Sequence, residues 1–180
     1  SAVRWIRSHA NNLGVDPNKI VASGGSAGGH VAAATATITQ FDEDGEDTSV
    51  SPLPQALVLF NPVIDNSKNG YGHNRVEPYW EEFSPLHNIK KGIPPTLFIC
   101  GTKDKLIPVA TGEQFCKAVE KAGGRCDLVW YENQSHGFFN KLFEETMLEV
   151  DQFLVSLGYL SGPATLQQSE NIHTDISTDN

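Results

Sequence analysis

Short runs of apolar residues alternate along this chain with segments whose apolar residues recur every three or four positions. Continuous apolar runs predict strands buried on both faces of a sheet, whereas the three-and-four spacing predicts amphipathic helices. The predicted strands cover residues 20–21, 56–60, 96–100 and 126–131, and the predicted helices cover residues 2–13, 27–40, 109–122 and 141–157. This alternation predicts an α/β fold with about four parallel strands and helices on both faces.

Two segments lie outside that alternation. Residues 61–94 form a long, polar and aromatic connection, in which short helices are expected near 78–83 and 84–86. Connections of this length inside a domain are often functional. Residues 161–180 have no core-forming pattern, so we predict one domain over residues 1–160 and a polar, poorly ordered tail over residues 161–180.

A glycine-rich turn with a serine at its apex follows the first predicted strand. The residues Gly24-x-Ser26-x-Gly28 stand between a β-branched run and an alanine-rich helical segment. This strand–turn–helix pattern is typical of a nucleophile elbow, in which a strained turn presents the serine hydroxyl. We expect glycine on both sides of Ser26 because a Cβ there would collide with the neighbouring strand or helix.

Charge and cysteine content exclude several classes of function. The net charge is −9 and no run is rich in Lys or Arg, which disfavours a nucleic-acid or anionic-membrane partner. No apolar run approaches the length that spans a bilayer. The three cysteines have no metal-type spacing, so we expect neither a zinc site nor a disulfide framework, and Cys100 is predicted to be buried. The acidic run 42–47 misses the spacing of a calcium loop and is predicted to be a solvated surface loop.

Three chemistry-bearing residues follow three different predicted strands. Ser26, Asp104 and His136 all lie where strands end, and the carboxyl ends of parallel strands meet at one edge of a sheet. A serine hydroxyl needs a base, and an imidazole base needs an acceptor on its other nitrogen. Taken singly, Asp104 also fits an ordinary turn and His136 an ordinary loop, and Glu132 or Asp151 could replace Asp104 as the acid.

The segments around these residues resemble one family. GGSAGGH around Ser26, GTKDKLIP around Asp104 and NQSHGFF around His136 resemble the α/β-hydrolase esterases and lipases. Within that superfamily they are most similar to the hormone-sensitive-lipase-like and acetyl-esterase-like branch, which includes carbohydrate-acetyl-esterase relatives. The resemblance covers about residues 2–158. It implies an α/β-hydrolase fold with Ser26 as nucleophile, His136 as general base and acid, and Asp104 as its orienting carboxylate.

The resemblance also implies a function and further site residues. It implies a serine carboxylic-ester hydrolase for short-chain acyl or acetyl esters, with no metal or organic cofactor. The backbone N–H of Ala27, at the start of a helix, would be one oxyanion donor. Candidate substrate-binding residues are Gly25, Tyr79, Trp80 and Phe138, and His30 is expected to be structural or on the pocket rim.

One element of the family pattern is not found before Ser26. The family carries an HGG-type loop that completes the oxyanion hole, and residues 1–25 contain none. We therefore expect the C-terminal half of a hydrolase catalytic domain, without the N-terminal strands of its sheet. We expect an ester as its small-molecule ligand, and either the N-terminal half or a self-association to cover the exposed sheet edge. A non-catalytic hydrolase-like fragment and a prolyl-oligopeptidase-type serine peptidase remain alternatives, and no compartment is assigned.

Overall fold

The computed structural model describes residues 2–164. The chain divides into two compact units, Ser1–Phe138 and Phe139–Asn180. Most of the predicted tail, residues 165–180, lies outside the described residues. None of the helices in the described part of the chain is long and apolar enough to cross a membrane.

The first unit is built on a four-stranded parallel sheet, as predicted. The strands are β1 (Val21–Gly25), β2 (Ala56–Phe60), β3 (Thr96–Gly101) and β4 (Cys126–Tyr131), in the spatial order β1-β2-β3-β4. Gly25 pairs with Phe60, and Phe60 in turn pairs with Ile99, so the strands reach the same edge of the sheet. That shared edge brings the loops after the strands together.

The core of the sheet lies in its two central strands. Every residue of β3 is buried, as are the first four residues of β2, which explains their unbroken apolar runs. The ring of Phe98 packs 5.7 Å from that of Phe115 on the helix between β3 and β4. β1 continues through two glycines that the apolar pattern did not assign to a strand.

The helices are shorter than their apolar patterns suggested. The α-helices are α1 (Ala2–Ser8), α2 (Ala10–Leu13), α3 (Ala27–Thr37), α4 (His73–Val76), α5 (Trp80–Phe83), α6 (Val109–Lys121) and α7 (Phe143–Ser156). Short 3₁₀ helices cover Glu77–Tyr79, Pro85–Asn88 and Phe138–Asn140. The long connection between β2 and β3 therefore holds short helices, as expected.

The acidic loop is more than the solvated surface loop that was expected. Arg4 on α1 is buried, and its guanidinium bonds both Asp42, at 2.7 Å, and Glu46. Two carboxylates of the acidic run thus compensate a buried cation, which buried charges generally require. The pairing joins segments about forty residues apart, so local sequence patterns do not indicate it.

No disulfide framework was expected, but the first unit contains one disulfide bond. Cys116 on α6 is bonded to Cys126 at the start of β4, with Cα atoms 5.2 Å apart. Cys100 on β3 is a free, buried thiol, as predicted, and its burial raises its pKa to about 12.

The second unit contains α7. Its buried residues are Thr146, Val150 and Phe153, which recur at spacings of three and four on one face, whereas Phe143 at its start is 61% exposed.

Candidate active site

Ser26 occupies a strained turn between β1 and α3. Its φ of 54° and ψ of −117° are rarely adopted by a residue other than glycine. The Ser26 N–H donates to the Phe60 carbonyl at 2.9 Å, while the Ser26 carbonyl accepts from the N–H groups of His30 and Val63, each at 3.1 Å. The turn is thus fastened both to α3 and to the end of β2, which holds the hydroxyl at the edge of the sheet.

The glycines around Ser26 differ in whether the surrounding structure leaves space for a Cβ atom. A Cβ on Gly24 would lie 2.4 Å from the Gly28 carbonyl carbon, and one on Gly29 would lie 2.7 Å from Pro62 Cβ. A Cβ on Gly28 would meet nothing within 4 Å. The expectation for Gly24 is confirmed, but the glycine required on the helix side is Gly29 rather than Gly28.

The three residues predicted from the strand ends form one hydrogen-bonded chain. His136 Nε2 lies 2.8 Å from Ser26 Oγ, and His136 Nδ1 lies 2.8 Å from Asp104 Oδ2. A carboxylate only accepts, so Nδ1 carries the proton and Nε2 is left to accept the Ser26 O–H. This is the arrangement in which an imidazole can take a proton from a serine hydroxyl.

The Asp104 carboxylate is fully buried and accepts hydrogen bonds from both backbone and side-chain donors. Oδ1 accepts from the N–H groups of Leu106 at 2.8 Å and Ile107 at 3.0 Å. Oδ2 accepts from His136 and from the side-chain amide of Asn61, the latter at 2.6 Å. A buried carboxylate needs such partners, and together they fix the plane in which it meets the imidazole.

Asn61 was not among the predicted site residues. This residue is 0% exposed, directly follows β2, and has a φ of +42°, a region in which asparagine is enriched among non-glycine residues. Its signal was available, because it is a polar residue at the end of a buried apolar run, as Ser26 and Asp104 are.

Ala27 begins α3 immediately after Ser26. The first N–H groups of a helix have no partner within the helix, and the helix dipole makes them favourable sites for negative charge. The position therefore suits the predicted oxyanion donor. Gly25, one of the predicted substrate-binding residues, precedes Ser26 as the last residue of β1.

One apolar cavity adjoins the serine turn at Ala27, and a second lies further along α3. The first measures about 270 Å³ and is lined by residues that include Ala27, Val31, Val63, Tyr71, Arg75 and Val76. The second measures about 480 Å³ and contains the predicted Tyr79 beside Phe41 and Ile38. His30 and Phe83 line both cavities.

The other predicted binding residues have packing contacts. Trp80 packs edge-on against His73 and His87, with ring centroids 6.1 and 5.0 Å away. Phe138 is 3% exposed and lies 4.8 Å from the ring of Tyr131. A role in substrate binding stays a prediction for both.

His30 is a buried structural residue on the cavity wall. Its ring stacks on Phe83 at 4.3 Å, and its Nε2 lies 3.1 Å from the Phe83 carbonyl oxygen. Burial lowers its pKa, which favours the neutral imidazole. Among the residues that the structure describes, no group of three or more His, Cys, Asp or Glu side chains could hold a metal ion.

The parallel sheet and the strained serine turn at its edge define an α/β-hydrolase. The chain belongs to the prolyl oligopeptidase family, whose model matches residues 2–156. Its predicted resemblance to α/β-hydrolase esterases is confirmed by the similar proteins.

Solved esterases share the fold. Thermogutta terrifontis esterase 2, phosphoramylated by tabun, superposes with a TM-score of 0.83 and 42% identity, covering 89% of this chain and 63% of that one. An esterase structure from the same species with propionate bound superposes with a TM-score of 0.80 and 41% sequence identity. The match covers 89% of this chain and 64% of that one.

Curated relatives are more distant. An acetylxylan esterase of Xylanibacter ruminicola is 28% identical over 172 residues, or 86% of this chain and 32% of the relative. Esterase LipQ of Mycobacterium tuberculosis is 29% identical over 143 residues, which is 68% of this chain and 33% of the relative. The chain thus spans about a third of the length of these curated relatives.

Proposed function

We propose that this protein is a serine carboxylic-ester hydrolase that acts through Ser26, His136 and Asp104. The observation that carries the proposal is the continuous hydrogen-bonded chain from Ser26 Oγ through the imidazole to the buried carboxylate, with both links at 2.8 Å. Esterases among the similar proteins support the choice of ester bonds.

The first half of the reaction forms an acyl-enzyme. Ser26 Oγ attacks the ester carbonyl carbon while its proton passes to His136 Nε2, and Asp104 stabilises the resulting imidazolium. The carbonyl oxygen becomes an oxyanion, which the N–H of Ala27 stabilises. When the intermediate collapses, the bond to the alcohol oxygen breaks and the imidazolium returns the proton to that oxygen.

The second half releases the acid. A water molecule gives a proton to His136 Nε2 as its oxygen attacks the acyl carbonyl carbon. Collapse of this second intermediate breaks the bond to Ser26 Oγ, which regains the proton from the imidazolium. The products are a carboxylic acid and an alcohol, and every proton transfer uses a group of this chain, so the proposal requires no cofactor.

Short acyl groups fit the proposal best. The cavity that begins at Ala27 measures about 270 Å³, slightly below the range of about 300–1,000 Å³ for drug-sized ligands. Related esterase structures were obtained with propionate and with butyrate bound. Acetyl to butanoyl esters are therefore the first substrates to test.

A matched pair of serine variants tests the assignment. Ser26→Ala should reduce kcat for 4-nitrophenyl acetate by at least about 10⁴-fold, because the nucleophile is removed. Ser23→Ala, which removes an exposed hydroxyl from β1, should leave kcat unchanged. Substantial turnover by Ser26→Ala would exclude the proposed mechanism.

A labelling experiment separates an enzyme from a non-catalytic module. A fluorophosphonate probe should modify Ser26 in the wild-type chain, as located by peptide mass spectrometry, because only an activated serine reacts. Recovery of an unmodified Ser26 peptide after prolonged exposure would favour a binding or structural role.

Peptide-bond hydrolysis is a second candidate, favoured by the family match. A relative named acylamino-acid-releasing enzyme, from Arabidopsis thaliana, is 28% identical over 151 residues. Comparing N-acetyl-alanine 4-nitroanilide with N-acetyl-alanine methyl ester separates the candidates. For an esterase, we expect the ester-to-anilide ratio of kcat/KM to exceed the ratio of the two compounds' uncatalysed hydrolysis rates. A higher kcat/KM for the anilide would favour a peptidase.

The outer edge of β1 is a further element of the proposal. Within the described chain β1 pairs only with β2, which leaves one row of its backbone groups available for pairing. We propose that another part of the hydrolase, or a second copy, pairs there and supplies a second oxyanion donor. The 180-residue chain alone should then be slower by about 10²–10³-fold, the usual effect of losing one donor. Rates like those of a full-length esterase from this chain alone would contradict that.

A further inference from the structure

One cation stands on the wall of the apolar cavity beside the serine turn. The cavity of about 270 Å³ is lined mainly by apolar side chains, and Arg75 is the charged residue among them. Its guanidinium lies 5.8 Å from the centre of the Tyr71 ring. Among the residues that the structure describes, no carboxylate forms an ion pair with it.

The backbone that carries Arg75 is held in place. The buried side chain of Asn66 donates to the Tyr71 carbonyl at 3.2 Å, and His73 Nδ1 lies 2.9 Å from the Asn66 carbonyl. The Arg75 N–H donates to Gly72, and Val76, the next residue, is 8% exposed. These contacts fix the backbone of α4 at the cavity wall, whereas Arg75 itself is exposed and lines the cavity beside Tyr71.

The proposed reaction has no use for this cation. Proton transfer runs through His136 and Asp104, and the oxyanion is held at Ala27. The neighbouring His30 is favoured in its neutral form by burial and cannot share a positive role. The net charge of the chain is −9, yet none of the carboxylates in its described part pairs with this cation at the apolar cavity.

We propose that Arg75 selects esters that carry a carboxylate on the part of the substrate occupying this cavity. The inference rests on the proposed ester hydrolysis. A guanidinium binds a carboxylate through two parallel hydrogen bonds, which makes the pair geometrically specific even where it is partly exposed. The carboxylate belongs to the acyl part or to the alcohol part of the ester, and the experiment below has one arm for each.

Two pairs of esters that differ only in a terminal carboxylate measure the effect of its charge on the rate. The acyl arm compares monomethyl glutarate with methyl pentanoate, and the alcohol arm compares 4-acetoxybutanoate with butyl acetate. Within each pair the chain length is the same and only the terminal carboxylate differs. Initial rates measured by pH-stat titration give kcat/KM for each ester and hence the charged-to-neutral ratio.

Arg75→Gln should lower that ratio in one arm by about tenfold, the expected effect of a partly exposed charge-assisted pair. Arg75→Lys should retain part of the preference, because it keeps the charge and loses the bidentate geometry. Lys121→Gln, which removes the same charge from the exposed end of α6, should leave the ratio unchanged. Unchanged ratios in both arms for Arg75→Gln, or equal losses in Lys121→Gln, would overturn the inference.

A binding measurement keeps the test independent of turnover. In the Ser26→Ala background, ligand-detected NMR should show that the charged member of one pair binds more tightly, and that adding Arg75→Gln removes the difference. Equal binding of both members in both pairs would overturn the selectivity. Absence of Ser26-dependent turnover with every ester would instead count against the proposed function.

Discussion

The side-chain amide of Asn61 donates to the same Asp104 oxygen that accepts the Nδ1–H of His136. Asn61 comes from the end of β2 and Asp104 from the loop after β3, so neighbouring strands meet at this oxygen. The carboxylate cannot rotate toward the imidazole or away from it without breaking the bond to the amide. In the proposed mechanism, Asn61 is therefore a positioning residue for Asp104.

Replacement of Asn61 by glycine should separate positioning from folding. Glycine accepts the φ of +42° without strain, so the variant loses the amide but keeps the turn. We expect kcat/KM to fall by about 10- to 100-fold, because small displacements of catalytic groups have effects of that size. Steady-state kinetics with 4-nitrophenyl acetate, alongside an unfolding curve, give both quantities. An unchanged kcat in a folded variant would exclude the positioning role.

Replacement of Asn61 by aspartate should make stability depend on pH. The new carboxyl would lie against Asp104, and like charges at that distance raise the pKa of the pair. Stability relative to wild type should therefore be retained below the ordinary carboxyl pKa of about 4 and fall as the pH rises toward the raised value. Urea unfolding between pH 3.5 and 7 measures this. A constant difference across that range would contradict the expected repulsion.

Two adjacent glycines of α3 should respond in opposite directions to alanine. Gly28→Ala fills open space in a helix and should raise the free energy of unfolding by about 0.5–1 kcal/mol. Gly29→Ala places a Cβ against Pro62 and should lower it by about 1–3 kcal/mol. Denaturant unfolding of the two variants, each the control of the other, checks the prediction. Equal effects would mean that the helix does not approach Pro62 as described.

The bond between Cys116 and Cys126 should stabilise the first unit. It closes a loop with a sequence separation of 10, for which the chain-entropy relation gives about 2.7 kcal/mol. Dithiothreitol should lower the unfolding midpoint of the wild type and have no further effect on the Cys116→Ser, Cys126→Ser double variant. A wild-type midpoint insensitive to reductant would show that these cysteines are not bonded in solution.

The contact between Arg4 and Asp42 should add stability that is lost in acid. The hydrogen bond from Arg4 lowers the pKa of Asp42 below its ordinary value of 3.8. The contribution is therefore present above that value and disappears as the pH falls through the lowered pKa. Stability measured from pH 6 to pH 2 should show this component in wild type and not in Asp42→Asn.

The exposed neighbour Asp44 provides the matched control for that series. Asp44→Asn removes the same charge from the same loop and should leave the acid-side loss of stability as in wild type. If Asp42→Asn and Asp44→Asn reduce the acid-side loss of stability equally, that loss is caused by net charge and not by the contact with Arg4.

The residues that could be predicted share one property. Ser26, Asp104 and His136 each follow a strand, and parallel strands bring such positions to one edge whatever the details of packing. The sheet itself could be predicted because its two central strands are continuous apolar runs.

The residues that could not be predicted depend on how separate elements pack against one another. Arg4 meets its carboxylates, and Cys116 meets Cys126, only after α1 and α6 have docked. The choice between Gly28 and Gly29 depends on which face of α3 turns toward Pro62, and an alanine-rich helix carries little periodicity to indicate that. Asn61 could have been found from its position, but not its bond to Asp104.

The carbonyl of Ser26 accepts the N–H of Val63, and Val63 also lines the cavity beside the turn. The shape of the cavity and the placement of Ser26 are therefore coupled at Val63, and also at His30, whose N–H donates to the same carbonyl. A smaller side chain at Val63 keeps the N–H but changes packing on the segment that holds Ser26, whereas Tyr71 and Val76 make no bond to that turn. Redesign of substrate range in this protein should begin on the side of α4.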